Sequence, residues 1–129
     1  MKRRSQLTVC GNEDVPESIT AFVKELGEKI KEHVELKGCV RIVIVPAVSY
    51  PSYRRKFVVG QFYRNPHTIY VCGLKPKGMS AREFRESVTD TVLHELAHLM
   101  QWLETKRASA VNERGIESRV KALTERMGL

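Results

Sequence analysis

The five residues His94-Glu95-Leu96-Ala97-His98 constrain this chain more than any other feature, because they lie inside Thr91–Leu103, an apolar stretch with helical rather than strand period. Residues four apart in a helix share a face about one turn apart, so both imidazoles can reach one ion while Glu95 stands beside it. The residue types suit one chemistry. Two neutral nitrogens hold a Zn²⁺ ion open on one side, the metal acidifies a water, and the neighbouring carboxylate takes its proton. Zinc is thus the expected cofactor and Glu95 the expected general base. Two surface histidines four apart by chance would show the same pattern, so the surrounding sequence has to decide.

That context supports a site. Phe84, Val88, Val92, Leu93, Leu96, Leu99, Met100 and Leu103 cover a broad apolar face, which predicts a mostly buried helix lying on a sheet. Asp90, Thr91, His94, Glu95, His98 and Gln101 occupy the remainder. An imidazole pair on the polar seam of a core helix is poorly placed without a metal or another partner. Ser80-Ala81-Arg82-Glu83 is a capping box and marks where this helix starts.

At 129 residues the chain is expected to form one domain, 1–129, with a single core. Leu7–Cys10 is a short candidate strand. Asp14 and Glu17 read as a capping pair for a first helix from about Pro16 to Lys37, closed by Gly38 and carrying Ile19, Phe22, Val23, Leu26, Ile30 and Val34 at helical spacing. Cys39–Val45 predicts a central strand buried on both faces, and Ala47–Lys56 a loop. Phe57–Tyr63 and Thr68–Cys72 predict a hairpin around Arg64-Asn65-Pro66-His67, and Asn112–Met127 a third helix.

The net charge of +7 admits a nucleic-acid or acidic partner. The basic residues are scattered, however, and no nucleic-acid module accompanies them, so a solvated surface is the favoured reading. No apolar run has the length of a signal segment or a membrane span, and Cys10, Cys39 and Cys72 lack CxxC spacing. A cytoplasmic protein with reduced, buried thiols is expected.

A catalytic zinc site has three protein ligands and an open position. After His98 there is no His, Asp or Cys, which leaves Glu104, Glu113, Glu117 and Glu125. Glu104 lies about 120° around the same helix from His98, and Glu125 sits in the last turn of the chain. Glu113 and Glu117, four apart on the third helix, share a face, and both remain candidates.

The spacing HExxH-x18-E, which ends on Glu117, resembles the gluzincin metallopeptidases and in particular their aminopeptidase N branch. The thermolysin branch differs by one residue, and Asn112-Glu113 is similar to its Asn-Glu pair. The resemblance implies zinc on His94, His98 and Glu117, with Glu113 as the alternative. It extends to the order of elements and, by size, to the minigluzincins. The implied fold is a zincin-like α+β domain: a small mixed sheet of three to four strands packed against an N-terminal helix, the HExxH helix and a C-terminal glutamate helix. The implied activity is hydrolysis of peptide bonds, with a peptide or unfolded protein segment laid along the edge strand Val58–Tyr63.

Several consequences follow from the small size. No counterpart of the larger relatives' oxyanion-stabilising Tyr or His is evident beyond Tyr63 and His67, and Lys121 stands where the thermolysin pattern has a histidine-orienting Asp, so Asp90 is the candidate for that role. Latency is also implied, with Met1 to Asn12 or the C-terminal residues over the cleft. HExxH proteases of the SprT type and metzincins both take a third histidine after the motif, where this chain has none. The rival reading is a basic binding or regulatory module whose zinc is structural or vestigial.

Overall fold

A computed structural model describes residues 6–36, 38–46, 60–64, 67–105 and 113–129, with the side chains of Gln6, 60–64 and Thr105 excepted. The element order is β1 (Gln6–Gly11), α1 (Glu17–His33), β2 (Cys39–Val45), β3 (Gly60–Arg64), β4 (His67–Cys72), α2 (Ala81–Thr105) and α3 (Ile116–Arg126). The four strands form one mixed sheet in the order β1-β2-β4-β3. β1, β2 and β4 run parallel, and β3 returns antiparallel on the outside of β4. This is a small zincin-like α+β fold, as expected.

Alternation along the strands explains the layering. Leu7, Val40, Ile42, Ile44, Ile69 and Val71 are buried and lie opposite one another in register, so they form one apolar face. α1 lies on β1 and touches α2, which crosses β4 and β3. Gly27 permits the close approach of α1: a Cβ there would stand 2.9 Å from Leu7 Cδ2 and 3.1 Å from Val9 Cγ2. The opposite face of β2 exposes Cys39 and Arg41, so this strand is buried on one side only. Cys10 is exposed as well, and of the three free thiols only Cys72 is buried, donating to the Pro46 carbonyl at 3.3 Å.

α1 is shorter than expected. It stops at His33, and Val34 turns extended at φ −127° and ψ 127°. Val34 and Leu36 are both buried with Glu35 exposed between them, a strand-like alternation that the i to i+4 spacing of Ile30 and Val34 conceals. Its start differs too. Pro16 is the N-cap without a side-chain bond, while Asn12 Oδ1 accepts the Asp14 N–H at 2.8 Å in the turn before it. The capping box on α2 is present as expected. The Ser80 N–H donates to Glu83 Oε1 at 3.2 Å, and the Glu83 N–H donates to Ser80 Oγ at 3.1 Å.

The hairpin also forms, with Tyr63 opposite Thr68 and Arg64 opposite His67. The expected loop at Ala47–Lys56 and the start of the edge strand at 57–59 lie outside the described residues. β1 lies at the opposite end of the described sheet from β3, so Gln6–Gly11 completes the sheet, and residues 1–5 of the segment expected over the cleft lie outside the described residues. Met127, near the C-terminus, is likewise a core residue.

Candidate metal centre

α2 is long because its polar and apolar positions segregate. Val92, Leu93, Leu96, Ala97 and Leu99 are fully buried, and this anchors the helix so firmly that the rotation of His94 and His98 is settled. His98 is 7% exposed, whereas the His94 side chain is 40% exposed, so one imidazole faces the interior and the other the solvent. The rings meet edge to face with centroids 4.8 Å apart, and their Nε2 atoms stand 3.2 Å from each other.

The third group arrives from the turn before α3. Gly115 is the N-cap of that helix in the left-handed region at φ 76°, a conformation that glycine adopts without a Cβ clash, so the helix begins at Ile116. Glu113 therefore sits on a turn, and its carboxylate spans both imidazoles: Oε1 is 2.9 Å from His98 Nε2 and Oε2 is 3.4 Å from His94 Nε2. Ile116 is buried and anchors the first turn. Glu117, one residue on and about 100° around the axis, is exposed and does not join the group. His94, His98 and Glu113 are the one set among the described residues whose ligand atoms converge, all within 4.8 Å.

Two contacts hold this arrangement. Arg119 on α3 grips Glu104 near the end of α2 with its two terminal guanidinium nitrogens, at 3.2 and 3.0 Å, which ties the two helices together beside the site. Gln101 Oε1 lies 3.0 Å from His98 Nδ1. Asp90, the residue expected to orient a histidine, is exposed. Gln101 belongs to the same polar seam in the sequence, and its i to i+3 spacing from His98 was the available signal. His67 is half-buried on β4 and outside the group, and the Tyr63 side chain lies outside the described residues.

The donor set fits a tetrahedral cation. Zn–N bonds of about 2.0–2.1 Å place two ligand nitrogens about 3.3–3.4 Å apart, close to the 3.2 Å between the two Nε2 atoms. With Nδ1–H donated to Gln101, the Nε2 lone pair of a neutral His98 points at a carboxylate oxygen, a contact that requires a proton or a cation between them.

Glu95 is half-buried. Burial pushes its carboxyl above the ordinary value, the His98 and His94 charges oppose that rise, and the Glu113 charge adds to it. Slight burial also acts to raise Glu113, but its hydrogen bonds to His98 and His94 and the charges of both imidazoles outweigh this and hold it below the usual carboxylate range. The two carboxylates are thus driven apart in proton affinity, one toward base chemistry and the other toward a permanent anion.

No family model and no curated protein matches the chain. Two solved structures do. The fold is shared with Wss1 of Saccharomyces cerevisiae. One Wss1 crystal structure aligns at a TM-score of 0.56 and 18% identity, with 97% of this chain and 89% of that chain covered. A Wss1 mutant aligns at the same TM-score and 17% identity, covering 97% and 90%. At such identity the likeness concerns the fold alone, and this chain carries a His/His/Glu group that could hold a metal ion. Among the described residues no helix is long and apolar enough to cross a membrane.

Proposed function

We propose that this protein is a zinc-dependent peptidase whose metal is held by His94, His98 and Glu113. The observation that carries the reading is the convergence of the two Nε2 atoms at 3.2 Å beneath a carboxylate that touches both. Bound zinc supplies Lewis acidity toward a scissile carbonyl and acidifies a water. Glu95, next to His94 on the helix and raised in proton affinity by burial, takes the proton from the attacking water and returns it to the leaving amine. Among the described residues β3 is the outer strand of the sheet beside α2, so its outer edge can receive an extended peptide by strand addition, with the scissile bond carried toward the histidines.

Elemental analysis of the wild type, Glu113→Ala and Glu117→Ala, each challenged with a mild chelator, tests the ligand set. Loss of zinc in Glu113→Ala with retention in Glu117→Ala is the expected result, and the reverse pattern restores Glu117. Peptide cleavage that vanishes in Glu95→Gln while zinc is kept then establishes the activity. A wild type that holds no zinc would turn attention to the basic binding module, whose affinity for an acidic partner should fall steeply with salt.

A further inference from the structure

We infer that Gln101 is the positioning residue of the metal centre: its amide oxygen, 3.0 Å from His98 Nδ1, holds the buried imidazole in the tautomer that presents a free Nε2 to a cation. This inference rests on the zinc reading above.

The argument starts from hydrogen-bond chemistry. An amide oxygen only accepts, so the Gln101 contact takes a hydrogen on His98 Nδ1; a neutral imidazole then has none on Nε2, whose approach to the Glu113 carboxylate calls for a cation or an added proton between them. That nitrogen is the atom that meets His94 Nε2 at 3.2 Å and Glu113 Oε1 at 2.9 Å. In the opposite tautomer an Nε2–H would point into the same spot and close it to a metal.

Burial makes the partner matter at His98 in particular. His98 is 7% exposed and packed on a helix face of fully buried residues, so solvent cannot readily replace the amide oxygen. The His94 side chain, 40% exposed, can be oriented by water. The two imidazoles of one helix therefore differ in setting: the inner one meets a side chain three residues along, and the outer one is open to solvent. Gln101 also orients without adding charge. A carboxylate in its place would be a third anion around His98, besides Glu95 and Glu113, which already act on it.

Because Gln101 and His98 both lie on α2, this half of the site is built within one helix. Glu113 comes instead from the turn before α3, the helix that Ile116 and the Arg119–Glu104 pair hold in place.

The test uses the full chain as wild type, Gln101→Leu, Gln101→Ala and Gln101→Glu, with circular dichroism to confirm folding. Zinc dissociation constants are measured by chelator competition at one pH, and the His98 tautomer is read in metal-free protein from imidazole ¹⁵N–¹H correlation spectra. Loss of the orienting acceptor in Gln101→Leu or Gln101→Ala is expected to weaken zinc about 10–100-fold and to shift His98 away from the Nδ1–H form. Gln101→Glu, which keeps an acceptor, stays within a few-fold of wild type. Wild-type zinc affinity in the Leu and Ala variants with an unchanged tautomer overturns the inference, as does an Nε2–H tautomer in the wild type. If the wild type binds no zinc, the function proposed above fails, while the tautomer measurement still decides the role of Gln101.

Discussion

The two helices that build the site begin in opposite ways. α2 starts at a reciprocal capping box, in which Ser80 and Glu83 satisfy each other's N–H groups three residues apart. α3 starts at a left-handed glycine with no side-chain cap, and what seats it comes from elsewhere: Ile116 in the core and Arg119 on Glu104 of α2. The first start is a local device and the second a tertiary one. The difference decides the metal group, because a helix that begins at Ile116 leaves Glu113 on a turn over the imidazoles and turns Glu117 toward solvent.

The largest expected effect comes from removing the tertiary anchor. Ile116→Ala empties a position 1% exposed and should cost about 2–5 kcal/mol of stability in denaturant unfolding, with weaker zinc retention because Glu113 loses its support. Gly115→Ala is next. The space around it is open, so the cost is the left-handed backbone alone, about 1–2 kcal/mol. A chain that escapes this cost by extending α3 backward would place Glu113 and Glu117 on one helical face, and retention of zinc through Glu117 in that variant would break the comparison.

Ser80→Ala should cost about 1 kcal/mol through the lost cap of α2 and leave zinc affinity unchanged, which separates the local start from the site. Arg119→Ala should cost less, about 0.5 kcal/mol, since the Glu104 pair is half exposed, but it should loosen zinc where Ser80→Ala does not. Chelator competition on both variants makes the contrast direct.

The smallest effect is a pH dependence. The backbone hydrogen bond from Ser80, followed by its hydroxyl contact, holds the Glu83 carboxyl below its ordinary value. A lowered folded pKa means the contribution is present above the unfolded value and is lost as pH falls through the folded one. Thermal melts from neutral into acid should show this loss in the wild type and not in Glu83→Gln. Glu95 carries the opposite sign: burial raises it, so in metal-free protein its protonated form favours folding at low pH, and that contribution fades as pH rises through the folded value.

Much of the molecule was legible in the sequence where the signal is periodic and local. The apolar face of α2, its capping box, the hairpin of β3 and β4 and the shared helix face of His94 and His98 all follow from spacings within a few residues. The readings that shifted involve spacings with two meanings. Ile30 and Val34 four apart suit a helix, yet Val34 and Leu36 two apart suit the extended segment that forms. Cys39–Val45 is apolar enough for two buried faces, but whether anything covers its outer side depends on layers that no single strand encodes.

By itself the sequence determined a set of helices and strands of α+β type and the two imidazoles of one helix with Glu95 between them, because a turn of helix converts a spacing of four directly into a shared face. Which glutamate meets those imidazoles was decided by the tertiary structure. Glu113 and Glu117 are equivalent at the level of spacing, and only the left-handed Gly115, the buried Ile116 and the Arg119 pair to α2 determine where α3 begins and hence which carboxylate faces inward.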